Sequence, residues 1–337
     1  MNSVHAAGAD LREQLVTLLA DGEFHSGAQL GRSLRVSRTA IWKALRKLEE
    51  LGVEVHAVPK RGYRFAQPIE LLDSDAIRAG LPAAARRRVR QVERFLTIAS
   101  TNSHLLERSD LPIGSTDACV AEAQSAGRGR RGRAWSAPFG GSICLSMNWL
   151  FPEVPRQLSA LSLAVGVGVL RALRKAGAAD MRLKWPNDVM FAGRKLGGIL
   201  IELRAEFSGP AYVVIGVGLN YHLSAGARRT LQAAEIEAAD LHEAAGRKLG
   251  GRNALTAALI GEIAGVLTEF QQEGLRPFSR EWRNADALAA TAARVAYGEH
   301  TYRGIARGID EDGALLLETP GKLLRFTSGE VTVRPGN

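Results

Sequence analysis

A chain of 337 residues has room for two or three domains of about 100–200 residues each, and 46% hydrophobic residues exclude wholesale disorder. A net charge of +9 points to an anionic partner (nucleic acid, nucleotide phosphate or an acidic protein) or else to a generally basic surface. Cys119 and Cys144 stand apart from any CxxC or histidine cluster, so no structural zinc site is expected and reduced, buried thiols are.

No apolar run reaches the ~18 residues of a membrane-spanning helix, and residues 1–10 lack a signal-peptide pattern, so a cytoplasmic protein is expected. There is no internal repeat and no long low-complexity segment. The chain divides into three regions: 1–66, 67–284 and 285–337.

In the first region, residues 11–20 have the apolar spacing of a short helix, with Leu11, Leu15, Leu18 and Leu19 on one side. Asp21-Gly22 ends it. Ser26 caps a second helix that ends near Leu34, and Gln29 completes a capping-box pattern. Arg35 and Val36 make a turn, and Ser37 caps a third helix reaching about Leu51. Ile41, Leu45 and Leu48 form its core face, while Arg38, Thr39, Lys43 and Arg46 face outward. Between Gly31 and Lys47 there are basic residues and no acidic one, the one-sided face that a duplex backbone requires. Residues 53–58 and 63–65 follow as strands around Pro59-Lys60-Arg61-Gly62, a turn carrying two cations. Helix, turn, basic helix and hairpin together predict a winged helix-turn-helix that uses Ser37, Arg38, Thr39, Lys43, Arg46, Lys60 and Arg61 on DNA. The alternative is a helical docking domain with a solvated basic face.

The second region opens its chemistry at Gly127-Arg128-Gly129-Arg130-Arg131-Gly132-Arg133. Guanidinium forks suit phosphate and carboxylate, and glycine gives the backbone freedom. So many like charges should leave this loop mobile until an anion orders it; a plain nucleic-acid patch is the alternative. The GxxxxGK[ST] of a P-loop is absent. Strands predicted at 118–122, with Gln124 just after, and at 142–149 flank the loop, the usual place for an active-site cover. Trp135 is either a base-stacking platform or a core aromatic.

A helix is expected over 158–176. After it, Lys184-Trp185-Pro186-Asn187-Asp188 breaks a strand with polar groups. Residues 188–194 fit a hairpin turning at Ala192-Gly193, and Lys195 then enters an apolar, glycine-bearing strand as either a surface lysine or a pocket cation. Residues 213–220 form a strand in which Gly216 and Gly218 permit close approach by a ligand. In the third region, short strands are expected at 294–297, 302–308 and 314–318, with a turn at Asp312-Gly313.

These segments together resemble the bifunctional biotin–protein ligase and biotin-operon repressor family. The resemblance runs from about Leu15 to Arg334. It is carried by residues 22–27, Ser100-Thr101-Asn102, the 127–133 loop, Lys184 to Asp188, Arg194 to Glu202, Gly216 to Asn220 and 329–334, none of them broken. It implies an α+β protein with an N-terminal winged helix-turn-helix, a class II synthetase-like mixed α/β catalytic domain and a small SH3-like β-barrel. It also implies two steps: biotin and ATP give biotinoyl-5′-adenylate, and a lysine of the biotin carboxyl carrier protein of acetyl-CoA carboxylase takes the biotinoyl group. Adenylate-bound homodimers are expected to bind operator DNA and repress biotin synthesis.

By the same resemblance, Ser100, Thr101, Asn102, Gln124, Gly127, Arg128, Gly198, Gly216 and Gly218 bind biotin. Arg130, Arg131, Arg133, Trp135, Lys184, Asn187, Asp188 and Asn220 lie on the ATP side. Lys195 and Arg130 are the catalytic cations, Lys195 beside the biotin carboxylate and α-phosphate. Glu330 and Arg334 match charged positions that bear on ATP, or form a surface ion pair. Mg2+ is expected with ATP, without assigned protein ligands. A ligand-sensing regulator without catalysis and a ligase for another acid such as lipoate are the competing readings. Against the first stand Lys195 and the arginine loop; against the second, the winged region and the spelling of that loop.

Overall fold

The computed structural model describes residues 3–205 and 209–333. The N-terminal unit consists of α1 (Ser3–Leu19), α2 (Gly27–Ser33), α3 (Arg38–Glu50) and a hairpin of β1 (Val55–Val58) and β2 (Gly62–Phe65). The caps fall where the sequence places them: Ser26 Oγ accepts from the Gln29 amide and Ser37 Oγ from the Ala40 amide, each at 3.1 Å. Gly31 makes the turn between the two helices possible, since a Cβ there would stand 2.8 Å from the Val36 carbonyl. Leu15, Leu19, Leu30, Ile41, Leu45, Leu48 and Phe65 bury against one another as the core.

Two boundaries differ from expectation. α1 begins at Ser3 rather than at Leu11, in a stretch rich in alanine, the best helix former. β1 begins at Val55 rather than Val53 because the Val53 amide closes α3 instead. It donates to Leu48 O while Gly52, at φ +83°, donates to Glu49 O.

The central unit follows: α4 (Ser74–Gly80), α5 (Ala83–Arg86), β3 (Val89–Ile98), α6 (Thr101–Leu106), β4 (Thr116–Gln124), β5 (Ser142–Phe151), α7 (Leu161–Lys175), β6 (Arg182–Lys184), β7 (Asp188–Phe191), β8 (Arg194–Ala205), β9 (Ala211–Asn220), α8 (Ala225–Ala233), α9 (Leu241–Ala245), α10 (Arg252–Glu273) and α11 (Ser279–Ala285). Its strands form one seven-stranded sheet in the order β3-β4-β5-β9-β8-β7-β6, parallel only between β3 and β4. One face is the main core, where Ile143, Leu145, Val213, Ile215 and Val217 pack with residues of α7 and α10. α10 is long and apolar enough to cross a membrane by composition, but Leu255, Leu259, Ile260, Ile263, Val266, Leu267 and Phe270 are buried in this core.

The opposite face is small-chained at its centre. Register pairs Cys144 with Gly218, Ser146 with Gly216, and Gly218 with Gly198. Alternation puts all of these side chains on one side of the sheet, and α6 covers the far end of that side through Leu105, Tyr212 and Val214.

The last unit is a five-stranded antiparallel sheet of β10 (Ala292–Tyr297), β11 (His300–Ile309), β12 (Leu315–Thr319), β13 (Lys322–Phe326) and β14 (Glu330–Val333), ordered β13-β12-β11-β10-β14. It docks on the central unit through the turn between β11 and β12: Trp185 Nε1 donates to Gly313 O at 3.0 Å. Gly313, at φ +79°, has no room for a Cβ beside Ala160 and Leu163.

Candidate active site and nucleic-acid face

The open face of the sheet has a floor of partly exposed Gly198, Gly216 and Gly218, with Cys144 and Ser146 buried beside them. Its glycines are required by what lies over them. A Cβ on Gly216 would come within 2.4 Å of Asn102 Oδ1, and one on Gly218 within 2.6 Å of the Trp135 indole. Burial pushes the Cys144 thiol, and likewise that of Cys119, up to about 12, so both remain neutral, and both are buried and free as expected.

One rim is neutral and polar. Ser100 caps α6 through the Ser103 amide at 3.4 Å, which brings Thr101 and Asn102 to the edge of the floor. Gln124 Oε1 accepts from the Thr101 amide at 2.8 Å and from its hydroxyl at 3.1 Å. Ser146 Oγ bonds Thr101 Oγ1 at 2.7 Å and donates to Asn102 Oδ1 at 2.5 Å. Such a rim matches an uncharged group bearing both donors and acceptors.

The other rim is cationic. Lys195 enters β8 beside Gly198, and its Nζ lies 2.6 Å from Asp188 Oδ1 and 5.9 Å from the centroid of the Trp135 ring. Its ammonium is thus turned toward Gly198 and Trp135 on the open face, although about a third of the side chain is exposed. Lys184, behind it, is held below the usual lysine range chiefly by burial, which Asp188 opposes. Asn187 donates to Ile199 O at 2.7 Å and fixes the strand break above β8. Asn220 is buried, with its amide donated to Ala239 O at 3.0 Å, so it braces the end of β9 rather than offering a free polar group to the cleft.

The 127–133 loop leaves the end of β4 and passes over this rim. A bridge between Arg128 and Ala134 and a bond from Trp135 N to Gly127 O at 2.9 Å form its neck, and a Cβ on Gly127 would collide with Trp135 O at 2.6 Å. Like-charge repulsion, expected to await an outside anion, is relieved here by the protein's own carboxylates. Arg128 pairs with Glu202 at 3.0 Å, and Arg133 pairs with Glu330 at 2.5 Å, with Arg131 3.9 Å from the same carboxylate. Arg130 reaches Gly329 O at 3.5 Å, and burial and then Arg131 lower its pKa. The C-terminal unit thus latches the loop. Arg334 lies outside the described residues.

The fold gathers the expected residues along the two rims and the floor, except that Asn220 is buried at the end of β9 and turned to Ala239 O. Sequence reasoning missed Glu202 as a member; the strand alternation Gly198, Leu200, Glu202 carried that signal. Among the described residues no three His, Cys, Asp or Glu side chains converge as a metal cage. The nearest carboxylates, Asp188 and Glu330, are engaged by Lys195 and by the loop arginines. Mg2+ therefore fits only as a passenger on a phosphate ligand.

On the winged unit, Ser37, Arg38, Thr39, Lys43, Arg46, Lys60 and Arg61 are all exposed. Arg61 folds over the Phe24 ring at 4.1 Å, leaving Lys60, at φ +65°, as the tip cation. Trp42 was missed there: it is 52% exposed on α3, one turn before Arg46, whose guanidinium lies 5.9 Å from its ring.

Three family models match: the Biotin/lipoate A/B protein ligase family over residues 95–220, an HTH domain over 11–64, and the Biotin protein ligase C terminal domain over 294–334. The chain is 42% identical to the bifunctional ligase/repressor BirA of Salmonella typhimurium, across 95% of this chain and 96% of that protein. It is 31% identical to the BirA of Bacillus subtilis, across 95% and 98%. In structure it is similar to a biotin protein ligase from Aquifex aeolicus in complex with biotin and ATP, with a TM-score of 0.60 and 25% identity, covering 73% of this chain and all of that one.

Proposed function

From its membership of the BirA family of bifunctional ligase/repressors, which likeness along almost the whole chain establishes, we propose that this protein ligates biotin to a carrier protein and represses biotin-synthesis genes. The observation that carries the reading is the glycine-floored cleft with a neutral rim at one end and a cationic rim at the other. That polarity suits a molecule with an uncharged ring and an anionic tail meeting a triphosphate.

Thr101, Asn102, Gln124 and Arg128 take the ring of biotin, with Ser100 ordering the turn that presents them. Gly198, Gly216 and Gly218 let the ring and tail lie against the sheet. Lys195 and Arg130 flank the place where the biotin carboxylate meets the α-phosphate, and Arg131, Arg133, Trp135, Lys184, Asn187 and Asp188 border the nucleotide. A carboxylate oxygen of biotin attacks the α-phosphorus, the bond to the β-phosphate oxygen breaks, and pyrophosphate leaves. Charge gathers on the α-phosphate at the transition state. Each fixed donor aimed there is worth about 3–4 kcal/mol, by analogy with an oxyanion-hole donor. No side-chain nucleophile is needed, because the substrate supplies its own, and positioning contributes much of the remainder.

The loop over the rim shields the mixed anhydride from water until a lysine amine of the biotin carboxyl carrier protein attacks its carbonyl, expelling AMP and losing a proton. Mg2+ enters with ATP. The three working units are residues 1–66, 67–284 and 285–337, and the protein works in the cytoplasm. Adenylate-loaded copies pair as a homodimer whose two winged units span operator half-sites.

The deciding experiment incubates the full chain with biotin, ATP, Mg2+ and a carrier domain, then measures the mass of the carrier. One added biotinoyl group on the carrier lysine is expected. No transfer, or pyrophosphate exchange driven by lipoate and not by biotin, overturns the reading. Sedimentation with and without biotin and ATP tests the dimer; equal association in both rejects the coupling.

A further inference from the structure

Glu202 lies on β8 four residues past Gly198 and on the same side of the sheet, so its carboxylate stands at the neutral end of the cleft. It bonds two groups from two separate elements. Its Oε2 accepts from Asn102 Nδ2, on α6, at 2.8 Å. Arg128, at the neck of the arginine loop, approaches Oε1 at 3.0 Å and Oε2 at 3.3 Å and also donates to Ser103 Oγ at 2.9 Å. Asn102 is thereby fixed from both ends, because its Oδ1 accepts from Ser146 while its Nδ2 donates to Glu202. An amide with both ends committed cannot turn over. Gly216 leaves the space in which that amide sits.

A pair serving only stability needs one partner. Glu202 instead ties the wall of the acid pocket to the first cation of its cover, and both partners already belong to the site. Without this carboxylate Arg128 would have no acidic partner, since Glu330 is engaged by Arg131 and Arg133.

We propose that Glu202 is a positioning residue that holds Asn102 and Arg128 ready for the ring of the acid substrate, so that it governs capture of that substrate rather than the chemical step. This rests on the ligase reading given above.

Biotin-dependent exchange of pyrophosphate into ATP tests it on the full chain with E202Q, R128M and the double variant, with melting temperature and near-UV dichroism recorded for each. E202Q keeps an acceptor for Asn102 and loses the charge that holds Arg128. Its KM for biotin should rise at least 10-fold while kcat and the KM for ATP stay within about threefold. Because Glu202 acts through Arg128, the double variant should be no worse than R128M by more than about threefold. A KM for biotin within twofold of the parent in E202Q, a loss confined to kcat, or effects that multiply in the double variant each overturn the proposal. Should E202Q fail to fold, R128M probes the same pair from the other side, and an unchanged KM for biotin there overturns the proposal equally. Absence of any exchange by the parent chain is a different result, which rejects the ligase reading itself.

Discussion

Lys195 illustrates how a single side chain can matter greatly to chemistry and little to folding. Its ion pair with Asp188 is short, yet its side chain is 36% exposed, and pairs in such surroundings contribute about 0–1 kcal/mol. Lys195→Met should therefore leave the melting temperature within a few degrees. The same change removes a cation from the place where charge gathers, so biotin-dependent pyrophosphate exchange should fall by about 10²–10³-fold. Exchange within fivefold of the parent would place the essential cation elsewhere, with Arg130 the first alternative.

Asp286 shows the converse. It is buried at the junction of the central and C-terminal units, accepts from the Leu288 amide at 2.8 Å, and leaves Oδ2 without a partner. Burial lifts its pKa to about 6 from an ordinary 3.8, with the Leu288 bond opposing. A carboxyl raised on folding favours the folded state below its unfolded pKa, and that contribution is lost as pH rises through about 6. A shift of about two units corresponds to at most about 3 kcal/mol. Asp286→Asn keeps an oxygen for Leu288 and carries no charge. It should match the parent near pH 4 and exceed it by about 1–3 kcal/mol at pH 7.5 in denaturant unfolding. A difference independent of pH would mean that Asp286 has a partner when charged.

At the scale of elements, α3 and its hairpin were legible because caps, turn residues and helical spacing all act locally. Ser26, Ser37 and Gly52 signal the ends directly. α10 was not legible as an amphipathic helix: a helix buried on most sides carries no polar stripe to set its period. Nor was β3, whose residues Val89–Ile98 mix arginine and glutamate with apolar groups at the sheet edge. The cleft was half legible. Its glycines, arginines and Lys195 stand out by type, but Glu202 and Glu330 reach the arginine loop only through strand register and domain docking.

Trp42 was likewise hidden among apolar residues expected to face the core. Its exposure between Arg38 and Arg46 on α3 would let it meet base edges, such as a thymine methyl, were α3 to enter the major groove. With a duplex selected from a randomised pool, Trp42→Ala should weaken binding about 5–20-fold and leave the salt slope unchanged. Lys60→Ala should weaken all duplexes alike and reduce that slope by about one. Ligation should be unaffected by either change, and a matching loss of exchange would tie α3 to the catalytic unit instead.

Over the whole molecule, the winged unit is joined to the catalytic unit by more than a linker. Phe139, on the far side of the arginine loop, belongs to the core of the winged unit. The segment leading out of that unit runs into a fully buried ion pair, in which Arg252, at the start of α10, donates to Glu122 of β4 at 2.8 Å. The same guanidinium donates to Glu70 O at 2.7 Å and to Ser142 O at 2.8 Å, while Glu122 accepts from the Leu72 amide at 2.5 Å. Residues 70–72, β4, β5 and α10 therefore share one charged knot beneath the end of the loop. Removing one partner of a buried pair strands the other, at about 3–5 kcal/mol, whereas replacing both with apolar groups is often neutral. Arg252→Met should lower unfolding free energy by about that amount and split the calorimetric transition, releasing the winged unit first. Glu122→Leu combined with Arg252→Met should recover most of the lost stability. It should not restore the single transition, since the side-chain bonds to Glu70 O and the Leu72 amide are lost with the charges and only those that the Arg252 amide and Asn253 make to residues 70–73 still hold the segment. A single cooperative transition in the double variant would place the fastening in the apolar contact around Phe139 and the bonds of Asn253 to residues 70–73.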